Sequence, residues 1–249
     1  MMTKLTILFF LLTSLAQANT QKKITFLIAE REYKTNETLP KFAQKNLSKE
    51  FSILFCNAPN EGPQRNHLSN PRAIENADLL FVSVRRRAFS EETMKLIRRH
   101  IKKSKPIIGI RTSSHAFQLR KEKLLNGHQE WIEWDRDIIG GNYQGHQRKG
   151  IICKIEPSPT LATHSILNQV KLPFLTPATL YRNSPLPDDS NPILIGSEKG
   201  FPTEPVAWTH YTSSKSKVFY TSLGHIDDFN KPAFNRLLVN AVKWCLKSN

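Results

Sequence analysis

The chain has 249 residues, with 36 Lys and Arg against 21 Asp and Glu and a formal net charge of +15. With 39% apolar and 23% charged residues and ordinary Gly (10) and Pro (15) counts, it is not a collagen, a disordered tail or a polytopic membrane protein. Three cysteines exclude a disulfide-dense scaffold and a four-thiolate zinc site.

Residues 1–18 read as a secretory signal: Lys4, an apolar run from Leu5 to Leu15, and the A-x-A site Ala16-Gln17-Ala18. That run is too short to span a bilayer comfortably, and no later segment is long and apolar enough. Export to the periplasm or the medium is expected, with residues 19–249 as one mature domain. Cys56, Cys153 and Cys245 form an odd, widely spaced set that reads as buried free thiols; one disulfide plus a free thiol is the alternative.

Ile24 to Ala29 is a short apolar run expected to be a buried parallel strand. A helix is expected near Thr38 to Glu50, with Leu39, Phe42, Ala43 and Leu47 on one face and Pro40 in its first turn. Phe51 to Cys56 is the second strand, and a short helix follows near Pro71 to Asn76. Asp78 to Val84 is the third strand. Ser90 then caps a helix with Glu91 and Glu92 at its positive end. Lys105 to Ile110 is the fourth strand, and Thr112 to Leu119 is expected to turn into another helix.

Past a Gly-rich loop, Gly140 to His146, Ile151 to Ile155 reads as a strand. Pro157 to Pro192, rich in Pro, Ser, Thr and Asn, is expected to run over the surface. Strands near 193–197, 205–210 and 217–222 precede a last helix from Pro232, with Phe234, Leu237, Leu238, Ala241 and Cys245 buried. Strands alternating with helices predict a doubly wound α/β sheet, whose ligands sit at the C-terminal strand ends. Four loops fall there: Glu30–Lys34, Asn57–Asn66, Arg85–Phe89 and Arg111–His115.

Several motifs together resemble the ThuA-like (trehalose-utilisation) domains. They are Ile28-Ala29-Glu30-Arg31-Glu32-Tyr33, Ser83-Val84-Arg85-Arg86-Arg87, the stretch Gly109 to Phe117, Val218 to His225, the Gly140–His146 loop and Pro205-Val206-Ala207-Trp208. The resemblance implies a flavodoxin-like three-layer α/β sandwich of the class I glutamine amidotransferase-like type, with a mostly parallel sheet and a link to sugar metabolism. Amidotransferases of that type carry a nucleophilic Cys in the turn after the fourth strand. Here Arg111 stands in that turn, and a guanidinium cannot attack a carbonyl. Cysteine-based glutamine hydrolysis is therefore not expected.

His225, His146 and His115 are candidates for proton transfer, and Glu30 or Glu32 for a base or hydroxyl acceptor. For His115 the competing reading is a ring packed under the sheet; for the two Glu, it is an ion pair with the arginines. Arg111 and one or two of Arg85, Arg86 and Arg87 are candidates for holding oxygen anions; alternation along the chain keeps all three of the triplet from facing one ligand. Tyr33, Asn142 and Tyr143 complete the candidate ligand contacts. Trp208 is expected in the core, and the segment Trp131 to Asp137 as a possible lid. No cofactor is expected. A divalent metal on His115, His146, His210 and His225 is the alternative, although their spacing matches no motif such as H-E-x-x-H.

The expected partner is a carbohydrate or carbohydrate-derived molecule acted on by acid–base chemistry, as a hydrolase, isomerase or lyase. A non-catalytic module that docks acidic glycans or a partner protein through its basic surface is the alternative. Nucleic acid is not expected, because no RNP pair or recognition-helix signature is present.

Overall fold

The computed structural model describes residues 21–148 and 150–247. The signal segment expected over 1–18 lies outside them. Eleven strands are present among the described residues: β1 Lys23–Ala29, β2 Ser52–Asn57, β3 Leu79–Val84, β4 Phe89–Ser90, β5 Ile107–Ile110, β6 His128–Gln129, β7 Cys153–Pro157, β8 Phe174–Thr176, β9 Asn191–Ser197, β10 Glu204–Tyr211 and β11 Lys217–Thr221. The helices are α1 Thr35–Asn46, α2 Glu91–Lys102 and α3 Pro232–Leu246. Nine strands form one sheet in the order β2-β1-β3-β5-β11-β10-β9-β7-β8; β4 and β6 pair separately.

From β2 to β11 the sheet is parallel, and from β11 to β8 every pairing is antiparallel. The parallel strands are apolar on both faces because both faces are covered. Along β1, Ile24, Phe26 and Ile28 pack with α1 and α3, while Leu27 and Ala29 join the core under α2. This is the three-layer α/β sandwich of the flavodoxin-like kind.

Local physics sets the element ends. Ser90 Oγ accepts from Thr93 N at 3.3 Å and starts α2, as its sequence predicts. The first helix begins at Thr35 rather than near 38, because the Glu30 carboxylate accepts the Thr35 N–H at 2.8 Å and so anchors an earlier first turn. Pro40 consequently lies inside α1 rather than in its first turn. The helix expected over 112–119 is a single 3-10 turn, Arg111–His115.

The stretch 157–192 is no surface excursion. It contains β8 and buries Ile166, Ala178, Leu180, Tyr181 and Asn183. Cys56, Cys153 and Cys245 are buried free thiols. Trp208 is fully buried, with its indole N–H donating to the Ile139 carbonyl at 2.8 Å.

Candidate functional site

The turns after β1, β3, β5 and β11 meet at one end of the sheet. Two of them are held in left-handed backbone: Arg86 and Arg111 both have φ of 52°. A side chain in that region is strained, and such strain gathers at functional turns. The turn after β3 is tied to the one after β5, with Arg86 N donating to His115 O at 3.2 Å and Arg87 N to Ala116 O at 2.8 Å. A short ribbon closes the far side: Gln144 N bonds Arg182 O, Arg182 N bonds Gly145 O, and Gln147 N bonds Leu180 O.

These segments enclose a recess of about 140 Å³. Its walls carry Arg85, Arg86 and Arg120, the imidazoles of His115 and His146, and the phenols of Tyr33, Tyr143 and Tyr181, with Glu32 and Thr179 completing the lining. It adjoins a groove of about 270 Å³ that shares Arg85, Arg86 and Arg120 and adds Arg31, Lys121 and Glu122. Together they fall in the range of small-molecule sites, roughly 300–1,000 Å³.

Three guanidiniums therefore face one carboxylate in the recess. Arg85 Nη2 pairs with Glu32 Oε1 at 2.7 Å, while its buried Nε has no partner among the described residues. Arg86 Nη1 donates to the Gln118 carbonyl and side-chain oxygens, each at 3.3 Å. His115 is buried, with Nδ1 3.1 Å from Ser114 Oγ and its ring stacked on Tyr143. Burial, then the positive fields of Arg86, Arg85 and Arg111, hold its imidazole well below the ordinary value, so it is neutral near pH 7. Burial pushes the Tyr143 and Tyr181 phenols up, against nearby guanidiniums, so both remain hydroxyl donors. The site thus offers fixed cations, a neutral imidazole and phenolic hydroxyls.

Five expected site residues lie off this wall. Glu30 is buried, and its carboxylate accepts from Glu32 N, Tyr33 N, Thr35 N and Thr35 Oγ1 at 2.7–3.0 Å. It shapes the turn that presents Glu32 and Tyr33. Arg87 turns away, its guanidinium donating to the carbonyls of Ala29, Arg65, Pro59 and Asn60. Burial, then Arg65 and Arg31, lower it to about 10. His225 caps the 3-10 turn Ile226–Asn230 and meets Tyr33 edge-on at 6.4 Å. Asn142 donates to Pro185 O at 2.9 Å.

Arg111 lies behind the recess. Its guanidinium carbon is 4.5 Å from the ring centroids of both Tyr33 and Tyr181. Nη1 donates to the carbonyls of Thr179 and Ser222, and Nη2 to Tyr33 Oη at 3.2 Å. Arg111 is thus a buried strut holding two walls of the recess together. Each of the three cysteines lies elsewhere, and burial raises each thiol, Cys56 to about 11. Trp134 is buried, its indole N–H donating to Ser113 O at 2.7 Å, which pins the segment to the turn after β5, while Ile132, Glu133, Arg136 and Asp137 around it are exposed. Among the described residues no three His, Cys, Asp or Glu side chains converge as a metal-ligand set.

Arg120, Thr179 and Tyr181 are wall residues that sequence reasoning missed. Arg120 follows the expected helix 112–119 directly, which is the available signal. Thr179 and Tyr181 sit in the stretch read as surface, and only tertiary pairing brings them in.

The family model for trehalose utilisation, ThuA, matches residues 14–245. Among solved structures, a ThuA-like protein from Parabacteroides merdae superposes with a TM-score of 0.62 at 13% identity, covering 92% of this chain and 91% of that one. The mmIFT52 N-terminal domain superposes with a TM-score of 0.59 at 13% identity, covering 92% and 99%. A glutamine amido transferase from Methylobacillus flagellatus gives 0.52 at 9% identity, covering 92% and 97%. At these identities the likenesses concern the fold. No curated protein sequence matches the chain significantly.

Proposed function

The chain belongs to the trehalose-utilisation (ThuA) family, and we propose that its recess binds an acidic, carbohydrate-derived small molecule and moves a proton on it. The observation that carries this reading is a neutral imidazole, His115, ringed by Arg85, Arg86 and Arg120. A carboxylate held by the guanidiniums has its charge offset. That weakens the hold on a proton at the neighbouring carbon or hydroxyl, and His115 is the base placed to take it. His146 is the second proton-transfer group, and the phenols of Tyr33, Tyr143 and Tyr181 donate to sugar oxygens. The chemistry is that of an isomerase or lyase and draws on side chains alone. Export after cleavage at Ala18 is part of this reading, supported by the Lys4, apolar-run and A-x-A pattern of residues 1–18, and sequencing the N-terminus of the mature protein checks it.

Calorimetric titration with glucuronate, gluconate and glucose tests the binding step. The acids are expected to bind and to raise the melting temperature, with glucose inert. Arg85→Gln combined with Arg120→Gln is expected to abolish that binding. Equal binding of glucose, or acid binding indifferent to the double substitution, would overturn the reading.

A further inference from the structure

A second groove, of about 380 Å³, opens at the other end of the sheet, where the parallel strands begin. The seven residues of β1 put it roughly 20 Å from the recess. Lys22, Lys105, Lys215, Lys217 and Lys247 line it, and Asp78 is the one carboxylate among the described lining residues. Asp78 is already engaged, accepting from Lys23 N at 2.8 Å and pairing with Lys22 at 3.8 Å. Lys105 Nζ and Lys217 Nζ donate to backbone carbonyls, of Ala77 and Lys247.

Helix ends account for part of this charge. The last turns of α2 and α3 run to this edge, and two helix C-termini together supply roughly one negative charge. Five ammoniums exceed that and one carboxylate. Burial, with Lys103 and Lys22 alongside and against the pull of Asp78, holds the Lys105 ammonium below its ordinary range.

Two aromatic rings lie beside one of these lysines, Lys217, next to the groove rather than in its lining. Tyr211 is 43% exposed and meets Trp244 edge-on at 6.2 Å, and Lys217 Nζ lies 5.5 Å from the Trp244 ring. A ring beside ammoniums offers a sugar an apolar face and its acid groups a counter-ion. Lysines are mobile point charges rather than planar forks, which suits a repeating flexible polyanion better than one fixed carboxylate. The concave shape does not fit a flat bilayer. The groove also has neither arginines nor the run of exposed aromatics that strip-binding of nucleic acid uses.

We infer that this basal groove docks an acidic polysaccharide, with its carboxylate or sulfate groups on the lysines and a sugar ring against Tyr211. It is a separate site from the recess and does not depend on the chemistry proposed there.

The test is retention of the full chain on polygalacturonate and heparin over a salt gradient. The variant combines Lys22→Gln, Lys215→Asn and Lys247→Gln. All three side chains are exposed, and Asn tolerates the left-handed φ of 65° at position 215. Unchanged circular dichroism and melting temperature establish that it is folded. The wild type is expected to bind at least one polymer. The triple variant is expected to bind about tenfold more weakly near 0.15 M salt, with the slope of log affinity against log salt reduced by about one per lysine. Arg85→Gln with Arg120→Gln is expected to leave both values in place. Failure of both polymers to bind, an unchanged slope in the triple variant, or tighter binding of duplex DNA or phosphatidylglycerol vesicles at the same lysines would overturn the inference.

Discussion

The imidazole of His115 lies nearly parallel to the phenol ring of Tyr143, 4.4 Å between centroids and 27° between planes. Asp135 holds that arrangement from behind: its Oδ2 accepts the Tyr143 N–H at 2.7 Å, while its buried Oδ1 has no partner among the described residues. Burial, opposed by that one hydrogen bond, pushes the Asp135 carboxyl up to about 7. The stack over the proposed base therefore depends on a carboxyl that changes its charge near neutral pH and is largely protonated only below it.

Asp135→Asn keeps an acceptor for Tyr143 and removes the titration. The folded value is raised above 3.8, so this group's contribution is complete below about pH 3.8 and is lost as pH rises through 7. The Asn variant is expected to melt higher than the wild type at about pH 8, by about 2–4 °C per kcal/mol recovered. Calorimetry at about pH 5 and pH 8 checks this; an identical pH dependence in the two proteins contradicts it.

Histidines act in the opposite sense. Burial lowers His100 to about 4, against its bond to the Pro106 carbonyl, and His115 also lies well below 6.5. The unfolded chain takes up these protons first, so stability is lost as pH falls from about 6.5 toward 4, by about 3 kcal/mol for His100. Urea denaturation across that window is expected to show a flatter profile for His100→Gln. A profile as steep as the wild type rules out this source.

Glu32 partly cancels Arg85 in the recess, through a contact of 2.7 Å. Glu32→Gln is expected to tighten glucuronate binding several-fold, in line with about 1 kcal/mol for a half-exposed pair, and Arg85→Gln to weaken it. Isothermal titration distinguishes the two directions. Weaker binding in both variants means that the pair acts as a unit and that Glu32 itself contacts the ligand.

Arg111→Met preserves much of the side-chain volume but leaves the Thr179 and Ser222 carbonyls without their donor. Relief of a buried charge offsets part of that loss. The net cost is expected to be on the order of 2–3 kcal/mol by urea denaturation. Because the arginine joins opposite walls, ligand binding is expected to fall further than stability alone requires, measured at a temperature where the variant is fully folded.

The parallel half of the sheet was legible because β1, β3 and β5 are apolar runs covered on both faces, with strand ends that follow local residue choice. Ser90 shows the same legibility at a helix start. Only part of the arginine triplet was expected to face one ligand, and Arg85 and Arg86 line the recess while Arg87 does not; strict alternation would have grouped Arg85 with Arg87, and the left-handed backbone at Arg86 breaks it. The role of Glu30 was not legible, because a carboxylate that binds its own turn and one beside a ligand look alike in sequence. Arg111 differed for the same reason: its position was readable, but the direction of its guanidinium depends on Thr179 and Tyr181, some 70 residues later. Those two lie in a polar, Pro-rich stretch whose burial comes from pairing with distant strands.

The ribbon of 144–147 against 179–182 gives the recess two independently encoded halves. The cationic half is built from strand ends that the central sheet cannot alter without losing its packing. The other half, with His146, Thr179 and Tyr181, hangs on three backbone hydrogen bonds outside the parallel core. Selectivity can therefore be retuned by exchanging one cassette while the anion-holding floor stays as it is, and grafting that cassette between related chains is a direct route to changing what the protein accepts.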